Sequence, residues 1–183
     1  MNLATTISIM AGGPGSGCNG PNCGRPLTAA LKRWSAESSD KFNQERKRID
    51  SAITKGKSHP ILDAYTKINS SVHRGMQVGD ADKIWTAKTG DTITLGATSF
   101  TKDKGVAEGF SLSLQSGEGE NPVLMTVEGG LKGVDVTKHV GSDEIGEKAG
   151  EKEVISHGQF KVVSVRMGTT SGFRVRIVKV RAF

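Results

Sequence analysis

Apolar positions in the first third of the chain follow the spacing of a helix. They recur at steps of three and four, or at sums of these, as residues on one helical face do. The positions are Leu27, Leu31, Trp34, Phe42, Ile49 and Ile53. Gly56 then stands where a left-handed C-cap is expected. A second, short helix is predicted to begin at Pro60. Its inward residues would be Ile61, Leu62, Tyr65 and Ile68.

Beyond Ser70 the pattern becomes that of short strands separated by Gly, Asp and Asn. The predicted strands are Val72–Met76, Thr92–Leu95, Ala97–Thr101, Val123–Val127, Gly133–Val136, Glu151–Ser156, Phe160–Met167 and Phe173–Val180. One helix is predicted at Asp103–Phe110, with Val106 and Phe110 on the same face. A change of phase in the last strand predicts a bulge near Ile177. The chain is therefore predicted to be an α+β protein with a mostly antiparallel β core.

Three segments follow from these patterns: residues 1–26, a helical N-terminal lobe over 27–69, and a β-rich core over 70–183. The Gly-rich stretch Ala11–Pro26 is predicted to be a flexible tether, because glycine entropy and proline geometry oppose a regular element. Its composition is similar to that of segments near the ends of tailed-phage head proteins. Cys18 and Cys23 lie there without a second Cys/His pair at zinc-binding spacing, so we predict no metal site.

Charge and length narrow the set of partners. The 183 residues include 25 Lys and Arg against 19 Asp and Glu, for a net charge of +6. This bias favours an anionic partner, such as a dinucleotide, a nucleic acid or an acidic protein face. No segment approaches the length of a transmembrane helix, so no membrane partner is predicted. The first ten residues lack a basic signal-peptide region, and we expect a location in a phage virion or the bacterial host cytoplasm.

Two short strand motifs carry groups suited to a nucleotide. In His73-Arg74-Gly75, the planar guanidinium of Arg74 suits a phosphate, and Gly75 would let a ligand approach the backbone. In Thr98-Ser99-Phe100-Thr101, strand alternation points Ser99 and Thr101 to the same side, where their hydroxyl groups can orient a carboxylate or bind a ribose. Each motif alone is also typical of an ordinary surface strand.

The third motif is Glu151-Lys152-Glu153-Val154-Ile155. A strand would place Glu151 and Glu153 on one face, roughly 7 Å apart at the backbone. Such a pair is commonly a solvated edge. Here the following Val154 and Ile155 indicate a half-buried strand, and a Gly-rich loop precedes it. These features make the glutamate pair a candidate for catalysis.

Taken together and in this order, the motifs resemble the arginine-specific branch of the ADP-ribosyltransferases, marked by Arg, Ser-x-Ser and Glu-x-Glu. The likeness spans about Ser71 to Met167. The connecting segments that share it are Lys88-Thr89-Gly90-Asp91 before the serine strand, the helix Gly105–Phe110 after it, and Gly130–Val136 before the glutamates. Thr101 stands where the family more often has a second serine, and it keeps the hydroxyl group.

The resemblance implies a split antiparallel β-sandwich core and a metal-free mono-ADP-ribosyltransferase. Such an enzyme cleaves NAD as a substrate, with a glycohydrolase side activity, and modifies an arginine of a host protein. Arg74 would hold the NAD phosphates and Ser99 would position Glu153. Glu153 would contact the nicotinamide-side ribose, and Glu151 would engage the acceptor arginine. The loop Val136–Gly150 would recognise the target.

The resemblance also implies a set of NAD contacts. These are Arg74, Gly75, Ser99, Thr101, Phe110 and Glu153. Phe110 or Phe100 is the aromatic ring that could stack on nicotinamide, although both also suit a hydrophobic core.

Other functions stay open at this point. A non-enzymatic phage virion or scaffold module would use the Gly-rich tether and the basic helix. A nucleic-acid-binding protein would use the basic helix Lys41–Arg48 with Arg174 and Arg176. Against the latter, the chain has one tyrosine and two tryptophans and so lacks an evident stacking platform. Within the enzyme class, NAD hydrolysis alone or transfer to another acceptor is an alternative.

Overall fold

The computed structural model describes residues 24–36, 38–113, 119–140 and 150–183, with the first two as backbone only. The helices are α1 (Gly24–Trp34), α2 (Ser39–Lys55), α3 (Pro60–Asp63), α4 (Lys83–Thr86) and α5 (Lys104–Leu112), with a 3-10 turn at Val136–Lys138. The strands are β1 (Thr66–Ile68), β2 (Val72–Val78), β3 (Thr92–Thr101), β4 (Asn121–Val127), β5 (Leu131–Asp135), β6 (Glu153–Thr170) and β7 (Phe173–Ala182). Most of the Gly-rich tether, both cysteines and positions 141–149 of the predicted recognition loop lie outside the described residues. The described end of the predicted tether, residues 24–26, is instead helical, because α1 already begins at Gly24 and its first turn tolerates a proline.

The seven strands form one sheet in the order β1-β5-β6-β3-β2-β4-β7. Strand β6 pairs with β5 and β3 through its first half and with β7 through its second half. Because β7 also lies beside β4, the sheet closes on itself through β6. All these pairs are antiparallel except β4 with β7, which are parallel. The largest hydrophobic cluster lies inside this closed sheet and includes Phe100, Met125 and Phe160.

Two pairs of predicted strands are in fact single long strands. The predicted segments on either side of Gly158 form the continuous β6, in which that glycine has a φ of 137°. The two segments around Gly96 form β3, whose register shifts between Leu95 and Thr98. The side chain of Asp50 on α2 lies against this irregularity and accepts a 2.8 Å hydrogen bond from the Ala97 amide. A helix therefore stabilises the point at which the strand ladder is interrupted.

The predicted helical stripe is divided between two helices, because the chain leaves α1 at Ser35 and begins α2 at Ser39. The predicted C-cap is confirmed: Gly56 has φ 58° and ψ 34°. Helix α3 begins at Pro60 as predicted but ends at Asp63. Tyr65 and Ile68 are therefore not helical, and Ile68 instead belongs to β1.

The stripe packs on the sheet through a second hydrophobic cluster. Leu31, Trp34 and Ile49 of the helices are buried there against Val134 and Ile155 of the sheet. This packing fixes the helical lobe to the part of β6 that begins at Glu153. No helix in the described ranges has the length and apolar content needed to cross a membrane.

A fully buried carboxylate, that of Glu45 on α2, ties the three N-terminal helices together. It accepts a 2.6 Å hydrogen bond from Arg33 Nε of α1 and a 3.2 Å bond from Arg48 Nη1. His59 Nε2 lies 3.2 Å away, while His59 Nδ1 accepts the Ile61 amide and caps α3. An Nδ1 atom that accepts a hydrogen bond carries no proton, so this cap fits the neutral ring with its proton on Nε2. Burial, the largest influence, lowers the pKa of His59.

The predicted bulge near Ile177 is wrong. Strand β7 keeps continuous register through Ile177 against both neighbours, and the irregularity lies in β6 between Val162 and Ser164. The burial pattern changes phase because the two ends of β7 bury opposite faces. Val175 packs on the side of α5, whereas Val178 lies in the closed core. Val136, predicted to end a strand, instead begins the 3-10 turn.

Candidate active site

One cavity of about 420 Å³ lies between the helical lobe and the sheet. It is bounded by the end of α1, the start of α2, strands β2 and β3, helix α5 and the start of β6. The seven catalytic and NAD-contact residues that the resemblance implied all line it: Arg74, Gly75, Ser99, Thr101, Phe110, Glu151 and Glu153. The other lining residues are Trp34, Ser35, Ala36, Ser39, Phe42, His73 and Phe100. Residues from distant parts of the sequence therefore meet in a single recess.

Glu153 is the first residue of β6 and is only 9 % exposed. It pairs directly with Thr101 of β3, and Ser99 lies two residues along on the same face. Ser99 Oγ consequently donates a hydrogen bond to Glu153 Oε1. The indole Nε1 of Trp34 donates to the same oxygen at 2.8 Å, and Ser35 Oγ donates to Oε2 at 3.4 Å. The carboxylate is held by donors from the sheet and from the helical lobe.

Glu151 lies beside the strand rather than on it. Gly150 and Glu151 form a helical turn, and Lys152 has a left-handed φ of 49°, which ends the strand geometry before Glu153. The prediction that strand alternation would put both glutamates on one face is therefore wrong, because Glu151 is not part of the strand. Both still line the cavity, because Thr101 Oγ1 donates to the Glu151 carbonyl oxygen and anchors the turn.

Arg74 supplies positive charge to the cavity from the centre of β2. Its Nη1 donates a 2.8 Å hydrogen bond to the Ser99 carbonyl oxygen. Among the described residues no carboxylate forms an ion pair with it. Burial lowers the pKa of Arg74 to about 10, and the nearby charge of Arg46 acts in the same direction. The guanidinium is still protonated at neutral pH. An anion in the cavity could therefore pair with its charge and accept hydrogen bonds from its other N–H groups.

Gly75 is required for packing against α5. A Cβ atom at this position would lie 1.8 Å from the Ala107 carbonyl oxygen and 2.5 Å from the Ser111 amide nitrogen. Its missing side chain makes room for a helix backbone. This differs from the prediction, which assigned that room to a ligand. The close approach also brings Phe110 of α5 to the edge of the cavity.

The two aromatic candidates differ in exposure. Phe100 is 2 % exposed and packs against Phe160, with ring centroids 5.9 Å apart, in the closed core. Phe110 is 42 % exposed and lies on α5 at the cavity. Phe110 is therefore the ring available to stack on a bound planar group.

The sequence matches no protein-family model and no curated protein. Solved structures are similar to it at low identity. The ADP-ribosyltransferase Vis of Vibrio splendidus, in complex with the inhibitor M6, is 16 % identical, with a TM-score of 0.52 over 90 % of this chain and 73 % of that one. Vis in complex with agmatine has a TM-score of 0.51, also at 16 % identity, over 90 % and 75 % of the two chains. C3stau2 of S. aureus with NAD is 14 % identical, with a TM-score of 0.52 over 87 % of each chain.

The chain has the ADP-ribosyltransferase fold. This confirms the α+β class with an N-terminal helical lobe that the apolar pattern predicted, and the β core that the motif resemblance implied. The likeness covers 90 % of the chain for Vis and 87 % for C3stau2, and it therefore extends beyond Ser71–Met167, the part on which the motif resemblance rested.

The contribution of the helical lobe to the cavity of this ADP-ribosyltransferase fold was not predicted from the sequence. The sequence pattern assigned Trp34 and Phe42 to an apolar helical stripe, and Ser35 was not among the predicted site residues. A signal was present for Trp34, because a buried indole carries an N–H group that needs an acceptor. Which acceptor it meets depends on a contact across 119 residues, which helix periodicity does not reveal.

Proposed function

We propose that this chain is a mono-ADP-ribosyltransferase that cleaves NAD, releases nicotinamide and transfers ADP-ribose to an arginine of a host protein. The observation that carries the proposal is the meeting of Arg74, Ser99, Glu151 and Glu153 in one cavity. The fold supports it, as do two solved structures with that fold, one holding NAD and the other agmatine, a guanidinium compound.

Glu153 suits the first chemical step. The bond between the ribose C1′ and the pyridinium nitrogen breaks with its electron pair moving to nitrogen, so nicotinamide leaves as a neutral molecule without an acid catalyst. Positive charge develops on the sugar. A fixed carboxylate next to that charge stabilises the transition state more than the ground state. Ser99 and Trp34 hold the Glu153 carboxylate in place before the substrate arrives.

Arg74 and Phe110 suit the binding of the rest of the dinucleotide. The guanidinium of Arg74 can donate to the diphosphate, and it is not committed to a carboxylate of the described chain. The exposed ring of Phe110 offers an apolar face to nicotinamide. Among the described residues no three His, Cys, Asp or Glu side chains are grouped so as to hold a metal ion.

Glu151 suits the second step, the attack of the acceptor. An arginine side chain is protonated at physiological pH and is a poor nucleophile in that form. A carboxylate can bind the guanidinium and accept a proton as its nitrogen forms the new bond to C1′. Glu151 lines the same cavity from a turn that precedes β6, next to the segment that would contact a target. If water takes the place of the arginine, the same site hydrolyses NAD.

The test compares transfer with hydrolysis in the full chain. Labelled NAD is supplied with agmatine, and separately with bacterial lysate, and modified residues are identified by mass spectrometry. We expect label on agmatine and on protein arginines, with Glu153→Gln losing both transfer and hydrolysis. Glu151→Gln should lose transfer and keep part of the hydrolysis. Glu128→Gln is the matched control, because that exposed residue pairs with Lys179 outside the cavity.

The outcomes separate the alternatives. Label on a different side chain, or on nucleic acid, would keep the enzyme class and refute the arginine acceptor. Identical behaviour of Glu151→Gln and Glu153→Gln would refute the division of roles between the two glutamates. If the chain consumes no NAD, the proposed enzyme activity is refuted and a non-enzymatic binding module is favoured.

A further inference from the structure

A tryptophan at the end of α1 lines the cavity and contacts the glutamate that we propose as catalytic. The Trp34 ring is 1 % exposed, and its only polar atom, Nε1, lies 2.8 Å from Glu153 Oε1 and 3.2 Å from Ser99 Oγ. Because Ser99 also donates to Glu153 Oε1, the three side chains form a closed triangle. An indole N–H beside a carboxylate gives a charge-assisted hydrogen bond.

The position of the indole is fixed by the helical lobe. Phe42 of α2 packs edge-on against the ring, with centroids 4.9 Å apart and planes at 66°. Arg33, the residue before Trp34, donates a 2.6 Å hydrogen bond from Nε to the buried Glu45 of α2. Both contacts hold the end of α1 against α2, so the Trp34 ring has little freedom to turn away from Glu153.

The hydrogen bonds divide the two oxygens of Glu153 into different roles. Each carboxylate oxygen has two lone pairs to offer to donors. Ser99 and Trp34 together occupy both positions on Oε1. Of the described donors, Oε2 receives one from Ser35, at 3.4 Å, which is longer than the usual range for a donor to a charged oxygen. Oε2 therefore keeps the capacity to accept a hydrogen bond from a substrate hydroxyl.

We propose that Trp34 is a positioning residue for Glu153. Together with Ser99 it saturates Oε1 and fixes the plane of the carboxylate, so that Oε2 is presented to the ribose of the bound dinucleotide. The N-terminal helices are then part of the catalytic machinery, because they carry the donor. This inference rests on the proposed NAD-cleaving function.

The test removes the donor and keeps the ring. Trp34→Phe and the control Trp85→Phe are made in the full chain, and nicotinamide release is measured as a function of NAD concentration. Trp85 is the other tryptophan and packs against Arg176, outside the cavity lining. We expect Trp34→Phe to lower kcat by roughly tenfold to a hundredfold, the range for one hydrogen bond to a charged group. KM for NAD should change less than about threefold, since the donor acts on Glu153 and makes no contact with the diphosphate. Trp85→Phe should keep the kcat of the unmodified chain.

A second measurement leaves Trp34 in place. In a proton–nitrogen NMR spectrum the two tryptophans give two indole signals, and the control Trp85→Phe identifies the remaining signal as that of Trp34. Glu153→Gln should move the Trp34 signal upfield, because a charged acceptor becomes neutral, and should leave the Trp85 signal in place. This readout applies even if Trp34→Phe folds poorly.

Three outcomes would overturn the inference. The first is a kcat for Trp34→Phe equal to that of the unmodified chain, and the second is a Trp34 indole signal insensitive to Glu153→Gln. Either refutes the positioning role while leaving the proposed function intact. The third is an unmodified chain that releases no nicotinamide, which refutes the proposed function and the positioning role with it.

Discussion

Alanine at position 75 would place a methyl group against the backbone of α5. The nearest atoms would be the Ala107 carbonyl oxygen at 1.8 Å and the Ser111 amide nitrogen at 2.5 Å. Real Cβ contacts essentially never fall below 3.0 Å, so α5 would have to move by about 1 Å or more. Both obstacles are backbone atoms of a helix, which cannot rotate away as a side chain can.

The structure sets the expected magnitude. Overpacking a well-packed region typically costs about 1–3 kcal/mol. We expect Gly75→Ala to lie at the upper end, at about 3 kcal/mol or more, because whole-helix displacement is the only relief. For a chain of this size that corresponds to a fall in Tm of roughly 6–12 °C. The free energy of unfolding is to be measured by urea denaturation, with circular dichroism as the signal.

Gly109 gives a matched control on the same helix. It lies inside α5 and is exposed, and a Cβ atom added to it would meet nothing within 4 Å beyond its chain neighbours and the backbone of its own helix. Gly109→Ala should therefore stabilise the protein by up to about 1 kcal/mol, through helix propensity alone. If Gly75→Ala is as stable as the unmodified protein but binds NAD more weakly, the packing role is refuted and the ligand-approach role is restored.

Two further predictions concern the phosphate contact and acid stability. Arg74→Ala should weaken NAD affinity in an isothermal titration while changing kcat at saturation less, because it removes a binding charge, and unchanged affinity would contradict the phosphate role. Burial lowers the pKa of His59, His73 and His157 in the folded protein. From about pH 7.5 down to the lowered pKa values, the unfolded chain therefore binds more protons than the folded one, and stability should fall as the pH drops from about 7.5 to about 5.5. A urea midpoint that is constant or rises over this interval would contradict it, and His59→Gln should reduce the slope.

Local patterns were sufficient to find the strands and the residues of the cavity that come from them. Ser99 and Thr101 share a face because side chains alternate along β3, and this holds in the structure. Short apolar runs bounded by Gly, Asp and Asn also predicted β4 and β7 to within two residues at each end. The order of the three motifs along the chain then indicated the fold. The fold determines which strands pair with each other, and no single motif contains that information.

Features that depend on backbone conformation or on distant contacts were missed. The left-handed φ of Lys152 moves Glu151 off the strand, and an ordinary lysine gives no warning of it. The phase change in β7 was interpreted as a bulge because one-sided burial was assumed, whereas this strand buries opposite faces at its two ends. Trp34 was assigned to the core because helix periodicity reports burial and does not report what a polar atom meets.

The proposed function depends above all on Glu153, which we propose drives the cleavage of NAD in this cavity. The most direct measurement is the rate of nicotinamide release by the purified full chain at saturating NAD, compared with Glu153→Gln and with the control Glu128→Gln. We predict that Glu153→Gln lowers the rate by about two to three powers of ten, as expected for loss of a preorganised charge at the transition state. Glu128→Gln should match the unmodified chain. Equal rates for the unmodified chain and Glu153→Gln would contradict the account.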